Sequence, residues 1–255
     1  MTDFTEIPLI DIGPLADPAG QGLERAVGAI ADACETAGFF YVTGHGVPIA
    51  QVEAVFAAAD WFFALPQPER DALDVARSPN FRGYVPMGIT GPGVPRRMLE
   101  AFQMMLELGP DDPDVRAGSI MHGPNVWPPD APEFRAAMTA YYTAMTSLSD
   151  RLLAGFARAL GLEPGHFREF FRKPLTQLRL LHYPPQPPQD RDAVLGVEAH
   201  TDTGAFTILA QDETGGLEVR NRAGRWIEAT PIAGSFVVNI ADMMQRWTNG
   251  RFVST

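Results

Sequence analysis

A chain of 255 residues, 45% hydrophobic and 20% charged, has the size of one large domain or two small ones and the composition of an ordinary globular protein. Its formal charge of −11 argues against a nucleic-acid partner, which would need a basic stripe, and no apolar run is long enough to cross a bilayer, so no membrane association is expected. The single cysteine excludes an internal disulfide framework and the acidic start is unlike a secretory signal, so a cytoplasmic setting is expected.

In chain order, residues 7–12 form a short apolar segment ending at Gly13-Pro14, which predicts a strand. Leu23, Val27, Ile30 and Cys34 share one face of a predicted helix over 22–37, with Gly38 as its stop. Phe39, Phe40, Tyr41 and Val42 then predict a strand, residues 43–48 a turn, and residues 49–65 a second helix burying Val52, Val55, Phe56 and Phe62. The Gly- and Pro-rich stretch 78–93 reads as loop, and residues 96–108 are ambiguous, with Leu, Met and Glu favouring helix in a region that is short and bounded by loops. The clearest helix covers 132–160, where Phe134, Met138, Tyr141, Met145, Leu148, Leu152, Phe156 and Leu160 advance by three or four. Asp130 with Glu133 resembles a capping box, and Gly161 supplies a stop.

After Thr176 the texture changes to short β-like runs at 177–182, 206–210, 217–220, 226–228 and 236–240, separated by turns such as Gly215-Gly216 and 221–224. This is the pattern of an antiparallel sandwich or jelly roll. Two regions result: 1–175, mainly helical with a few strands contributing to the core, and 176–255, a β segment. One lysine, Lys173, among 20 basic residues, with abundant Ala, Gly and Pro, points to a GC-rich bacterial gene.

Chemistry concentrates at His200-Thr-Asp202. On a strand, residues i and i+2 face the same side, so one imidazole and one carboxylate reach the same metal ion. A His–carboxylate–His facial set suits Fe(II) and leaves positions open for substrate and oxygen. A His-x-Asp pair alone arises readily by chance, so its surroundings carry the identification. The stretch 196–219, from Gly196 through His200-Thr-Asp202 to Gly215-Gly-Leu-Glu-Val219, resembles the iron-binding segment of the isopenicillin N synthase-like, 2-oxoglutarate-dependent oxygenases. So do Leu180-Leu-His-Tyr-Pro-Pro185 upstream and the segment from Phe236-Val-Val-Asn-Ile240 to Thr255 downstream. Ile7-Pro-Leu-Ile-Asp11, the stretch 38–48 with its Thr43-Gly-His-Gly-Val-Pro48 turn, and His122-Gly-Pro-Asn-Val-Trp-Pro128 are similar to N-terminal segments of the same family.

That resemblance implies an α+β fold, mainly β with flanking helices, built on a double-stranded β-helix (jelly-roll) core. It implies a non-haem Fe(II) oxygenase that uses 2-oxoglutarate and molecular oxygen to hydroxylate, desaturate or cyclise a small organic molecule. His200 and Asp202 match two of the three protein ligands to iron, and Tyr183 matches the tyrosine that helps bind the far carboxylate of 2-oxoglutarate. The family's second histidine is expected just past Ser254-Thr255, with an arginine-x-serine pair for the cosubstrate further on, so the jelly roll is expected to be incomplete at the C-terminus and the chain a fragment of a longer enzyme. The competing readings are an iron oxidase without 2-oxoglutarate, like isopenicillin N synthase itself, and an inactive or partner-dependent truncated relative.

The remaining candidates read as structural. His45 sits between two glycines in a turn, His122 opens a Pro-rich loop, and His166 is expected to be exposed. His182 should face away from its neighbour Tyr183. Cys34, Met104-Met105 and Met243-Met244 are expected to pack in the core, Asn249-Gly250 to turn a hairpin, and Asp242 to cap or turn rather than bind metal. Arg82-Gly-Tyr84 lies where the family's loops often border substrate, but no contact is assigned to it.

Overall fold

The computed structural model describes residues 4–88, 98–185 and 196–255. Its contacts divide the chain into two compact units, each discontinuous in sequence: Met1–Ile49, Ala144–Glu169 and His200–Thr255 form unit 1, and Ala50–Thr143 with Phe170–Ala199 form unit 2.

Unit 1 is built on a four-stranded sheet of β1 (Leu9–Asp11), β2 (Phe39–Thr43), β9 (Phe236–Ile240) and β6 (Phe206–Leu209), in the order β1-β2-β9-β6. The aromatic and β-branched residues of β2 suit a central strand, and it lies parallel to β1 and antiparallel to β9. Alternation sends Phe39 and Tyr41 to one face, where they pack with Val237 and with Val219 and Ala229. The last two belong to, or directly follow, the ribbon of β7 (Glu218–Arg220) and β8 (Trp226–Glu228). The Tyr41 hydroxyl donates to the Thr230 carbonyl at 2.8 Å and ties the ribbon down. Helix α1 (Leu23–Thr36) buries Leu23, Val27, Ile30 and Cys34 as its spacing predicts. Gly38 (φ 65°) ends the turn after α1, its N–H bonding the Ala33 carbonyl at 2.8 Å. A side chain at Gly38 would collide with the Val253 carbonyl, because the segment after α6 (Asp242–Trp247) lies against the end of α1. There Arg251 pairs with Glu35 at 2.7 Å, and the Thr255 hydroxyl donates to the Ala37 carbonyl at 2.7 Å.

Unit 2 holds the antiparallel sheet β3 (Gly83–Val85), β4 (Glu100–Met104) and β5 (Leu178–His182). Its core is aromatic: Phe62 of α2 (Ile49–Phe63) lies 4.7 Å from Phe102 and 5.6 Å from Phe134, ring centre to ring centre. The short helices α3 (Gln67–Asp71) and α4 (Pro113–Arg116) lie in its connections. Helix α5 (Pro132–Ala159) has residues in both units and buries Phe134, Met138, Tyr141, Leu148, Leu152 and Phe156 of the predicted stripe, while Met145 and Leu160 are partly exposed.

Several local expectations need correction. Part of the 78–93 stretch is the strand β3, because it pairs with β4 and is buried in part, and residues 89–93 lie outside the described residues. The ambiguous 96–108 segment contains β4, buried throughout, so pairing on both edges overrode the helical propensity of its Leu, Met and Glu residues. Asp130 does not cap α5: it sits in the left-handed region (φ 51°), and the first helical bond runs from the Arg135 N–H to the Ala131 carbonyl. Asn249-Gly250 turns no hairpin. Both residues have positive φ and end α6, the Gly250 N–H bonding the Gln245 carbonyl at 2.8 Å. Met243 is 37% exposed, whereas Met104, Met105 and Met244 are buried.

Candidate metal centre

His200 and Asp202 come from unit 1, and neither lies on a strand as expected. They occupy the loop just before β6, yet the i, i+2 spacing still brings them together, His200 Nε2 lying 3.5 Å from Asp202 Oδ1. Backbone bonds to the corner between β9 and α6 replace a sheet ladder. The Asp242 N–H donates to the Asp202 carbonyl at 2.8 Å, the Met243 N–H to the Gly204 carbonyl at 3.0 Å, and the Ala241 N–H to the Ala205 carbonyl at 3.1 Å. Between the two, Thr201 turns away and donates its hydroxyl to Asp242 Oδ2 at 3.1 Å. Asp242 thus anchors the loop from the first turn of α6, whose N-cap is Ala241 with no side-chain capping bond, so the expected cap role does not hold.

The carboxylate of Asp202 is held by residues that pattern reading missed. Thr207 Oγ1 donates to Asp202 Oδ2 at 2.5 Å and Asn239 Nδ2 donates to the same oxygen at 2.8 Å. Thr207 and Asn239 are directly opposite partners in the β6–β9 register, so their side chains converge from adjacent strands. Both bonds fall on Oδ2, and Oδ1 faces the imidazole. The side chains of His200 and Asp202 are 56% and 33% exposed, so solvent and a cation reach both. One imidazole nitrogen and one carboxylate oxygen at this separation form a mixed N/O donor pair suited to Fe(II). Among the described residues no group of three or more His, Cys, Asp or Glu could hold a metal, and His200 and Asp202 make a pair of donors only.

Tyr183 belongs to unit 2, directly after β5. It is half exposed, and its ring lies against Gly196, where a side chain would meet ring carbon Cδ1 at 2.9 Å. Partial burial pushes its phenol above the ordinary value, with Arg179 opposing.

His182 ends β5, and its half-exposed side chain joins a network centred on the buried Glu100. Its Nδ1 lies 2.8 Å from Glu100 Oε1, and its ring stacks on Phe63 at 5.0 Å. Arg70 Nη1 and the Tyr84 hydroxyl both donate to Glu100 Oε2 at 2.5 Å. Burial alone would push the Glu100 carboxyl up, but the bonds from Tyr84, His182 and Arg70 outweigh it and hold the group below its ordinary value. The Tyr84 phenol is pushed up to about 12 by burial and by its bond to that carboxylate. Arg82 is fully buried, donating to the carbonyls of Asn80, Met121 and Leu106 and to Asn125 Oδ1. The Arg82-Gly-Tyr84 segment is therefore an internal brace.

His45 Nδ1 accepts from the Val47 N–H at 3.1 Å, so Nε2 carries the proton and donates to the Gly234 carbonyl at 3.0 Å. Burial lowers its pKa, which favours this neutral form. His122 bonds Ser119, and His166 is exposed. Cys34 is fully buried, and burial pushes its thiol well up.

Residues 7–130 match the family described as the N-terminal region of non-haem dioxygenase in morphine synthesis, and residues 175–255 match the 2OG-Fe(II) oxygenase superfamily. The chain is 40% identical over 260 residues to the 2-oxoglutarate-dependent dioxygenase citB of Monascus ruber, covering 98% of this chain and 78% of that protein. It superposes on a full-length Neurospora crassa protein solved with alpha-KG and thymine with a TM-score of 0.85 and 27% identity, over 100% of this chain and 80% of that one. A 2OG-Fe(II) oxygenase family protein from Caulobacter crescentus gives a TM-score of 0.84 at 29% identity, over 99% and 79% of the two chains.

Proposed function

The chain belongs to the 2OG-Fe(II) oxygenase superfamily, and on that premise we propose that His200 and Asp202 are its iron ligands and that Tyr183 binds the far carboxylate of 2-oxoglutarate. The family assignment makes it a Fe(II)- and 2-oxoglutarate-dependent dioxygenase that oxidises a small organic molecule with molecular oxygen on a jelly-roll core. The observation that carries the ligand reading is the 3.5 Å approach of His200 Nε2 to Asp202 Oδ1 in an accessible loop. When bound, Fe(II) with 2-oxoglutarate activates oxygen, so that the cosubstrate loses carbon dioxide to become succinate and the substrate is oxidised. The protein's own share is to present the imidazole nitrogen and the carboxylate oxygen on the same side of one loop, braced by the β9–α6 corner.

Tyr183 suits its part because its phenol stays protonated at neutral pH and donates a hydrogen bond to a carboxylate. Among the described residues no helix is long and apolar enough to cross a membrane. The charge of −11 supports a reading without nucleic-acid or membrane partners, and the lone, buried Cys34 supports a cytoplasmic one. We place the chain in the isopenicillin N synthase-like branch from its motif segments, and in a bacterium from its near-exclusive use of arginine over lysine.

The test is anaerobic Fe(II) titration followed by addition of 2-oxoglutarate. His200→Ala and Asp202→Ala should each weaken metal binding by at least about tenfold. Tyr183→Phe should leave metal binding unchanged and weaken the visible charge-transfer band that 2-oxoglutarate produces on the metal-loaded chain. Metal binding untouched by both ligand substitutions would sink the ligand assignment.

A further inference from the structure

We infer that Thr207 and Asn239 are positioning residues that force Asp202 to bind the metal through one oxygen only and so keep a coordination position open for the reaction. This rests on the reading of His200 and Asp202 as ligands. A carboxylate next to a divalent ion either binds through one oxygen or chelates through both. Chelation by Asp202 would consume a position that an oxygenase needs for cosubstrate or oxygen. In this chain Oδ2 already accepts two hydrogen bonds, from Thr207 Oγ1 at 2.5 Å and from Asn239 Nδ2 at 2.8 Å. Swinging Oδ2 onto the metal would break both and strand the amide of Asn239, which is 7% exposed. Oδ1, by contrast, already points at His200 Nε2.

The two donors are not adventitious neighbours. They face each other across the β6–β9 ladder, and the backbone carbonyl of Asp202 is bonded separately by the Asp242 N–H. Backbone and carboxylate are therefore fixed independently, which sets the carboxylate's rotation as well as its place. Both hydrogen bonds fall on Oδ2, and Oδ1 is the oxygen on the imidazole's side.

Co(II) is the probe, because its visible absorption reports coordination number and geometry. Thr207→Val and Asn239→Leu, checked for folding by circular dichroism, should weaken Co(II) affinity about tenfold and shift the Co(II) band towards higher coordination. Thr207→Ser, which keeps the hydroxyl, should restore both. In the metal-free protein the Asn239 side-chain amide resonance, identified by its loss in Asn239→Leu, should move in Asp202→Ala and in Thr207→Val.

An unmoved amide resonance overturns the inference without reference to metal. So does a Co(II) affinity within about twofold of wild type, with an unshifted band, in Thr207→Val, while Asp202→Ala loses the ion. That second pattern leaves the ligand reading standing. If the wild-type chain shows no Co(II) band, or Asp202→Ala binds as wild type does, the ligand reading itself fails and takes the inference with it. Because β6 is the edge strand of its sheet, Thr207→Val carries the test if Asn239→Leu does not fold.

Discussion

Replacing Glu100 by Gln separates charge from shape in the buried network of unit 2. The glutamate accepts from Arg70, Tyr84 and His182, and its side chain is 5% exposed, against 13% for Arg70. Glutamine keeps an oxygen for Arg70 and Tyr84 and can offer its amide to His182, whose ring then accepts at Nδ1. What disappears is the charge opposite Arg70. Two unit charges about 4 Å apart in an effective dielectric of about 20 attract by about 4 kcal/mol. Burying a neutral amide in place of a carboxylate recovers part of that, while the guanidinium is left without its counter-charge, for a net loss of about 2–4 kcal/mol. In a chain of this length each kcal/mol moves Tm by about 2–4 °C, so Glu100→Gln should lower the unfolding temperature by about 4–16 °C at pH 7.

The effect must depend on pH with a defined sign. Glu100 has a folded-state pKa below its ordinary 4.5, so its stabilisation is fully present above that value and is lost as pH falls through the folded-state value. Thermal melts of wild type and variant should therefore converge in acid. A difference below about 1 kcal/mol at pH 7, or one that stays constant as pH drops below 4.5, would refute the account of the network as a charged one.

Three further outcomes are expected. Arg82→Met removes four hydrogen bonds from a fully buried guanidinium and leaves carbonyl oxygens of Asn80, Leu106 and Met121 short of donors, which should cost about 3 kcal/mol or more by urea denaturation. Gly38→Ala drives a methyl group into the Val253 carbonyl at a position with φ 65°, so the 251–255 segment should lift from α1, read as faster exchange of the Val253 amide, which otherwise bonds the Cys34 carbonyl. Cys34, fully buried with its thiol pushed well up, should resist alkylation at pH 8 in the folded protein and react only on unfolding.

Much of the fold was legible because burial follows simple periods. The stripe of α5, the solid apolar run of β2 and the short runs after Thr176 all became the elements their spacing predicts. The failures share a cause. For β3 and β4, pairing partners distant in sequence decided the conformation against local composition. Asp130 and Asn249-Gly250 carry residue types that suit more than one turn, and only the backbone path selects which. The Arg70–Glu100 pair was not legible at all, because nothing local marks two residues 30 positions apart as buried together.

At the candidate centre the division is sharper. The candidate pair His200 and Asp202, and the family that their surroundings resemble, were legible in the sequence alone, since a two-residue spacing places the imidazole and the carboxylate on one side of almost any extended backbone. Which carboxylate oxygen takes the two hydrogen bonds was decided only by tertiary structure. Thr207 and Asn239 lie 5 and 37 positions from Asp202, and they meet over Oδ2 because β6 and β9 pair in one register. A hydrogen bond has direction and a reach of about 3 Å, and no pattern in a linear sequence encodes either until the strands have paired.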